Sequence, residues 1–250
     1  MRLAVEPELS LVSESVRSAL AGWEGGPLEP VFGEWWDEAD AALAARLAAV
    51  GWVELWQDGL GGAAVAGAVE LGRAVAPLSL LDTAMLGGAL ALGGRVRHAS
   101  AGSAVEIVGG ALRLGGLMGG EREATLDGLG TLRGVRVTGE AVAEAEARLV
   151  VWVAATLAYL AGLADGALQR AIVHVSSREQ FGAPLGALPA VRGRLADAAL
   201  VRDALLLCAW EAVADPVAGR ESLAWGGAAC RQATGHALQV HGGIGFALEG

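Results

Sequence analysis

The sequence of 250 residues contains no lysine and no asparagine, so every basic residue in it is an arginine. Isoleucine is also scarce, and since all three residue types have AT-rich codons, the bias indicates a GC-rich genome rather than a chemical requirement. There are 28 acidic and 18 basic residues, which gives a formal net charge of −10. An acidic chain without a basic stripe argues against binding to nucleic acid.

Cysteine and histidine are too few and too scattered for a metal site. Cys208 and Cys230 lie far apart, which predicts two buried thiols in a reducing cytoplasm, and the first 20 residues show no secretory signal. HExxH and CxxC motifs are lacking, so no metal is expected. Three of the four histidines are interpreted as structural: His98, His174 and His236.

Two further classes of protein lack their sequence signals. Gly128-Leu129-Gly130 does not continue as GxGxxG, which argues against a Rossmann domain, and no serine sits in a nucleophile elbow. The apolar run from Leu149 to Ala164 is shorter than the ~20 residues that a membrane-spanning helix needs. We therefore predict that this run is a buried bundle helix and that the protein has no membrane partner.

The residues that are present predict a mostly α-helical fold in three regions. Region 1–94 is expected to be helical, with helices near 8–20, 37–50, 65–75 and 81–92. Region 95–139 contains short apolar runs at 105–108, 111–114 and 132–137, separated by glycines, which predict a small set of antiparallel strands. Region 140–250 predicts three long helices, 140–177, 190–214 and 221–240, in an antiparallel bundle.

Two segments carry chemistry that packing alone does not require. Arg178 ends the first long helix just before the turn at Gly182. At a helix end its guanidinium can extend away from the bundle and bind a phosphate. The stretch from Gln239 to Gly245 ends the last helix in a glycine-rich turn, whose backbone amides can approach an anion closely. Each feature alone also fits a helix C-terminus, but their joint occurrence favours a binding site.

These segments resemble signature motifs of the FAD-dependent acyl-CoA dehydrogenases. Ser177 to Leu195 (SREQFGAPLGALPAVRGRL) is similar to the family's R-x-Q-F-G-x-P-I-G segment and the R-L-A-D that follows it. Gln239 to Phe246 (QVHGGIGF) is similar to its Q-x-x-G-G-x-G-F segment. Weaker similarities lie at Gly51-Trp52, Gly61-Gly62 and Glu70 to Leu78. The resemblance implies a helical N-terminal domain, a reduced middle β segment and a C-terminal helical bundle.

The resemblance also implies a cofactor and a reaction. In this family a carboxylate removes the α-proton of an acyl-CoA thioester while FAD accepts the β-hydride. The two motifs hold the ADP half of FAD, typically across a subunit interface. Carried over to this chain, the implied FAD-binding residues are Arg178, Gln180, Phe181, Gln239, His241, Gly242 and Gly243.

The chain departs from the family pattern at the catalytic base. One family position for the base falls on Trp152, whose indole cannot accept the proton, and the other falls beyond the last residue. Glu249 is close to that second position but comes too early, which leaves it a weak candidate. The middle β segment is also short, and Leu188-Pro189 replaces a polar FAD contact.

These departures resemble the shortened subunit of bacterial heteromeric acyl-CoA dehydrogenases. The expected function is therefore that of a base-lacking subunit, which supplies FAD contacts to a homologous partner that acts on an acyl-CoA. Two alternatives stay open on the sequence. One is a self-sufficient homo-oligomeric acyl-CoA dehydrogenase, and the other is a non-enzymatic scaffold or binding protein with the same fold.

Overall fold

The computed structural model describes residues 7–23, 34–57, 59–97, 103–108, 111–123, 131–180 and 182–246. The chain forms two compact units. The first consists of Met1–Gly67 and Ala76–Trp152, and the second of Ala68–Val75 and Val153–Gly250. Two helices, Gly61–Arg73 and Ala145–Ser177, contribute residues to both units. The mostly helical fold with a small sheet and a C-terminal bundle is confirmed.

The helices of the first part of the chain are α1 (Pro7–Ala19), α2 (Glu34–Ala49), α3 (Gly61–Arg73) and α4 (Leu78–Leu86). A 3₁₀ turn at Trp52–Glu54 precedes α3 and supplies the largest core side chain, Trp52, which is 1% exposed. Its indole nitrogen donates to the carbonyl oxygen of Leu80 over 3.3 Å, which satisfies the polar atom of a buried ring.

A mixed sheet follows, to which the described residues contribute seven strands. These strands are β1 (Ala89–Leu92), β2 (Arg95–Arg97), β3 (Ser103–Val108), β4 (Ala111–Met118), β5 (Glu121–Glu123), β6 (Thr131–Arg133) and β7 (Arg136–Ala141). They lie in the order β5-β6-β2-β1-β3-β4-β7. Neighbouring strands pair antiparallel except β1 and β3, which are parallel.

Three predictions for this region are wrong in detail. The helix expected over 81–92 ends at Leu86, because Gly87 adopts φ +89°, and its second half is strand β1. The run 132–137 is not one strand, since a turn at Gly134 (φ +76°) separates β6 from β7. The start of the predicted helix at 140 belongs to β7. Glycine turns decide the first two differences more strongly than the apolar runs do.

The C-terminal part is an antiparallel bundle of α5 (Ala145–Ser177), α6 (Pro189–Ala214) and α7 (Pro216–His241). A two-stranded hairpin, β8 (Glu179–Gln180) and β9 (Ala183–Pro184), connects α5 to α6 through a 3₁₀ turn. Asp215 caps α7 by accepting hydrogen bonds from two backbone amides, and Pro216 takes the first helical position. The Asp-Pro pair thus explains the sharp turn between α6 and α7.

Helix α5 is long and apolar enough to cross a membrane by length and composition. In its most apolar stretch, however, 61% of the residues are buried inside the protein. Core helices of bundles pass the same test, so the length and composition are weak evidence for a membrane span.

Helices α3 and α5 approach each other backbone to backbone within the second unit. A Cβ atom placed on Gly162 would lie 2.2 Å from the carbonyl oxygen of Val69, and one on Gly72 would lie 2.1 Å from that of Tyr159. Because real Cβ atoms do not come so close to backbone, only glycine permits this crossing.

We predict that Gly162→Ala lowers the free energy of unfolding by about 2–4 kcal/mol, because the added methyl group forces the two backbones apart. Thermal and denaturant unfolding of the purified chain measure this difference. The matched control is Gly227→Ala on α7, where an added Cβ meets nothing within 4 Å. That change should be neutral or stabilise by up to ~1 kcal/mol, and equal losses in both variants would contradict the close crossing.

A network of ion pairs links α3, α5 and α6 next to this crossing. The buried carboxylate of Asp165 on α5 accepts from Arg73 Nε over 2.6 Å and from Arg202 Nη1 over 3.0 Å, while Arg73 also pairs with buried Glu70 over 2.6 Å. Burial by itself would raise the pKa of Asp165, but the hydrogen bonds and positive charges of the two arginines outweigh it and lower that pKa.

A lowered pKa in the folded state means that Asp165 stabilises the fold above the ordinary aspartate pKa of about 3.9 and that this contribution is lost as the pH falls through the lowered value. We predict that Asp165→Asn costs about 1–3 kcal/mol at pH 7, because two arginines lose their shared partner. The difference from the wild type should shrink below pH 4 in unfolding experiments. Asp203→Asn, which removes an exposed partner of Arg202, is the control and should cost under ~1 kcal/mol.

Candidate anion-binding cleft

The two sequence motifs meet in one cleft of the second unit, with a volume of about 580 Å³. It is built where the end of α5, the hairpin β8–β9, the start of α6 and the end of α7 come together. The lining residues are His174, Arg178, Gln180, Leu185, Ala190, Val191, Arg194, Gln239, Val240, His241, Gly242 and Gly243.

Local backbone geometry explains why Arg178 reaches this cleft. Helix α5 ends at Ser177, and the Leu185 amide donates to the Arg178 carbonyl oxygen over 2.8 Å, which closes the hairpin that follows. Gly182 takes φ +79° in the hairpin turn, a conformation that other residues rarely adopt. The arginine is therefore held on fixed backbone while its side chain stays exposed.

Most of the predicted FAD-binding residues are brought together here. Arg178 and Gln180 come from the first motif, and the second motif contributes Gln239, His241 and the Gly242-Gly243 pair. Phe181 and the candidate base Glu249 lie outside the residues that the structure describes. A Cβ atom on either glycine would meet nothing within 4 Å, so the backbone here is open to a ligand.

The charge of the cleft is opposite to that of the chain. Its lining has two arginines, two histidines and two glutamines but no Asp or Glu among the described residues, whereas the whole chain carries a net charge of −10. Such a set of donors suits an anion with several oxygens, such as a phosphate or pyrophosphate. This donor set fits the ADP end of FAD.

The apolar part of the lining offers no side-chain donor to an anion. Leu185, Ala190 and Val191 belong to it, and α6 begins at Pro189, which has no amide proton to donate. The resemblance implies that Leu188-Pro189 stands where the family has a polar FAD contact, so the polar lining residues are the groups left to bind the ligand.

Two lining residues were missed by the sequence reasoning. His174 was interpreted as structural, yet its ring stacks on His241 with centroids 4.6 Å apart and 27° between the ring planes. Its spacing from Arg178, one helical turn, was the signal that could have placed both on one face. Arg194 lines the cleft from α6 and donates to Nδ1 of His236 over 3.4 Å.

The position aligned with the family's catalytic base lies in the first unit. The indole nitrogen of Trp152 donates to Oδ1 of Asp82 over 2.8 Å, and the Leu90 amide donates to Oδ2 over 3.4 Å. Asp82 is 2% exposed. The ring of Trp152 also packs against an apolar cluster that includes Leu86 and Leu112. Trp152 thus has a packing role, and Asp82 is a buried acid that the sequence analysis did not single out.

No metal centre accompanies the cleft. In the part of the chain that the structure describes, no group of three or more His, Cys, Asp or Glu side chains could hold a metal ion.

Comparison with known proteins assigns the C-terminal part of the chain to a family. Residues 143–250 match the family described as "Acyl-CoA dehydrogenase, C-terminal domain". The chain is 35% identical over 103 residues to 3-sulfinopropanoyl-CoA desulfinase of Paraburkholderia xenovorans, a match that covers 38% of this chain and 26% of that protein. It is 34% identical over 96 residues to cyclohex-1-ene-1-carbonyl-CoA dehydrogenase of Syntrophus aciditrophicus, covering 35% and 23%.

Similar solved structures extend over nearly the whole chain. A variant of the Tcur3481-Tcur3483 steroid ACAD matches with a TM-score of 0.74 at 20% identity, covering 97% of this chain and 89% of the other. The ChsE4-ChsE5 complex from Mycobacterium tuberculosis gives 0.67 at 19% identity, covering 100% and 90%. Butyryl-CoA dehydrogenase from Megasphaera elsdenii gives 0.75 at 13% identity, covering 100% and 92%.

These matches confirm the resemblance that the two motifs predicted. Residues 143–250 match the acyl-CoA dehydrogenase C-terminal domain, and the chain has the fold of the acyl-CoA dehydrogenase structures to which it is similar. The sequence match spans only about a quarter of the length of the curated relatives, 26% and 23%.

We predict that Arg178→Gln weakens binding of ADP to the purified chain about tenfold to a hundredfold, because a charge-assisted hydrogen bond contributes ~1.5–3 kcal/mol. Calorimetric titration measures the affinity. Arg192→Gln is the matched control, since Arg192 is an exposed arginine of α6 that does not line the cleft. It should change the affinity less than about twofold, and similar losses in both variants would argue for nonspecific attraction.

Proposed function

We propose that this chain is a subunit of an FAD-dependent acyl-CoA dehydrogenase that holds the ADP end of FAD and leaves the chemistry to a homologous partner. FAD, when bound, supplies the hydride acceptor for α,β-dehydrogenation of an acyl-CoA. The observation that carries the proposal is the convergence of both family motifs, in an acidic protein, on one cleft whose described lining residues include no Asp or Glu.

Within the cleft, each side chain has a proposed task. Arg178 and Arg194 pair with the pyrophosphate oxygens, and Gln180 and Gln239 orient it by hydrogen bonding. The open backbone at Gly242 and Gly243 lets the ligand approach closely. None of these groups moves a proton to or from a substrate carbon, so the cleft provides binding and orientation only.

The absence of a base in this subunit is supported by Trp152. An indole nitrogen carries a proton and accepts none, and here it is already hydrogen-bonded to Asp82. Asp82 itself is buried beneath that indole, so it does not stand in for the missing carboxylate. The base would therefore come from the partner subunit.

A homologous partner is supported by the surface of the bundle. Large apolar side chains are exposed on α6 and α7, most of all Leu200 (68%) and Val217 (60%), with Leu207 and Trp225 also exposed. Leu200 and Leu207 are two turns apart and share one face of α6. Apolar side chains and aromatic rings of this kind are typical of the core of a stable subunit interface. The similar steroid ACAD and ChsE4-ChsE5 structures are named as pairs of chains.

The substrate class and location are also proposals. Both curated relatives are named for CoA thioesters but for different reactions, so the likeness supports an acyl-CoA substrate more firmly than it supports dehydrogenation. A cytoplasmic location is supported by Cys208 and Cys230, which are both free thiols.

Co-expression with a homologous full-length acyl-CoA dehydrogenase subunit tests the proposal. We expect a yellow complex that reduces a dye with an acyl-CoA. Trp152→Phe in this chain should leave kcat of the folded complex within about twofold, because Trp152 moves no proton. Replacing the partner's carboxylate base should lower kcat by at least about a hundredfold.

The alternatives give different results in the same experiment. A chain that alone binds FAD and turns over acyl-CoA, and loses turnover in Glu249→Gln, would establish the self-sufficient enzyme instead. A chain that binds neither FAD nor acyl-CoA, with or without a homologous subunit, would leave only a scaffold or binding role.

A further inference from the structure

The stacked histidine pair lines the same cleft as the two arginines that the proposed function assigns to pyrophosphate. His174 comes from α5, one turn before Arg178, and His241 is the last residue of α7. Their rings face each other with centroids 4.6 Å apart. Two rings so close cannot both carry a positive charge at low cost unless a negative charge is present.

We propose that His174 and His241 complete the phosphate subsite of this cleft and that an anionic phosphate group binds there together with a proton taken up by the pair. The inference deepens the proposed function and rests on it in one respect, since the anion would be the pyrophosphate of the ADP end of FAD. It adds one ligand that lies outside the two motifs, His174, and a proton that accompanies the bound anion.

The hydrogen bonds fix which nitrogen can accept the proton. Nδ1 of His241 lies 2.8 Å from the carbonyl oxygen of Ala237. A carbonyl only accepts, so Nδ1 carries the hydrogen and Nε2 of the neutral ring is the basic atom. Among the described residues, the ring of His174 has no hydrogen-bond partner, so both of its nitrogens are available for a ligand or a proton.

The charged and titratable groups that line the cleft all disfavour a proton on His174. Burial lowers the pKa of His174 first, and the neighbouring charges of His241 and Arg178 lower it further. Arg194 on α6 adds another positive charge, and no carboxylate among the described residues lines the cleft to offset them. The four groups concerned are His174, Arg178, Arg194 and His241.

A bound anion offsets the positive charges that disfavour a proton in the cleft. Without a ligand, burial and the neighbouring charges of His241 and Arg178 disfavour the protonated form of His174. A phosphate bound in the cleft favours a protonated ring in the pair, so binding takes up a proton from solvent. By linkage, affinity then rises as the pH falls from 8 to 6, by up to about tenfold per pH unit for one proton.

Calorimetric titration of the full chain with ADP and with sulfate, at pH 8 and pH 6, tests the inference. Sulfate keeps its charge over this range, so its pH dependence reports the protein alone. Repeating each titration in two buffers of different ionisation enthalpy counts the protons. We expect affinity for both anions to rise at least about fivefold at pH 6, with uptake of close to one proton near pH 7.

The double variant His174→Phe/His241→Phe is decisive, because it keeps both flat rings but neither can be protonated. It should retain binding through the arginines and lose most of the proton uptake, while Arg192→Gln should keep the wild-type pH dependence. Should the double variant fold poorly, ring-nitrogen NMR of the wild type gives the same answer, since a ring of the pair must gain a proton when sulfate is added.

The outcomes separate the inference from the proposed function. Binding that is independent of pH, or proton uptake that persists in the double variant, overturns the inference and leaves the FAD role standing. Proton-linked binding of sulfate and ADP in a chain whose complexes hold no FAD supports the inference and overturns the proposed function. Absence of anion binding to the chain at both pH values overturns the inference, and the colour of the complex with the homologous subunit then decides the proposed function.

Discussion

The contact on which the second unit depends is the crossing of α3 and α5 at Gly72 and Gly162. Backbone meets backbone there, and the Asp165 carboxylate, held by Arg73 and Arg202, fastens the crossing beside it. Because α5 is held tightly in its middle, its C-terminal end is presented at a fixed position. That end carries His174 and Arg178, so the geometry of the cleft follows from a contact several turns away.

Sequence reasoning succeeded where one residue type fixes the backbone. The bundle helices α6 and α7 were predicted because Asp215-Pro216 indicates a turn, although α7 begins at Pro216, five residues before the predicted start at 221. The two motifs were recognised from glycines and an arginine at fixed spacing. The prediction failed where an apolar run fits either structure. Residues 89–92 continue the apolar pattern of α4, but the turn at Gly87 and pairing with β2 and β3 make them a strand.

In the candidate site, the motif residues could be predicted from the sequence, whereas the residues that tertiary packing brings to the cleft could not. The resemblance to the two family motifs singled out Arg178, Gln180, Gln239 and His241, and all four line the cleft. Arg194 and His174 join them only through the packing of α6 and α7 against α5. A contact such as Trp152 to Asp82 was likewise invisible, because α4 and α5 are separated by the whole sheet in sequence.

The contrast between Trp152 and the cleft is informative about function. A core position must be filled whatever the protein does, and Trp152 fills one with an apolar ring whose nitrogen is satisfied. The exposed residues Arg178, Gln180 and Gln239 satisfy no packing requirement, and the two arginines of the cleft bring positive charge together with no described acid in the lining to pair with it. Stability therefore accounts for Trp152 but not for the cleft, and the proposed anionic ligand supplies a reason for the cleft.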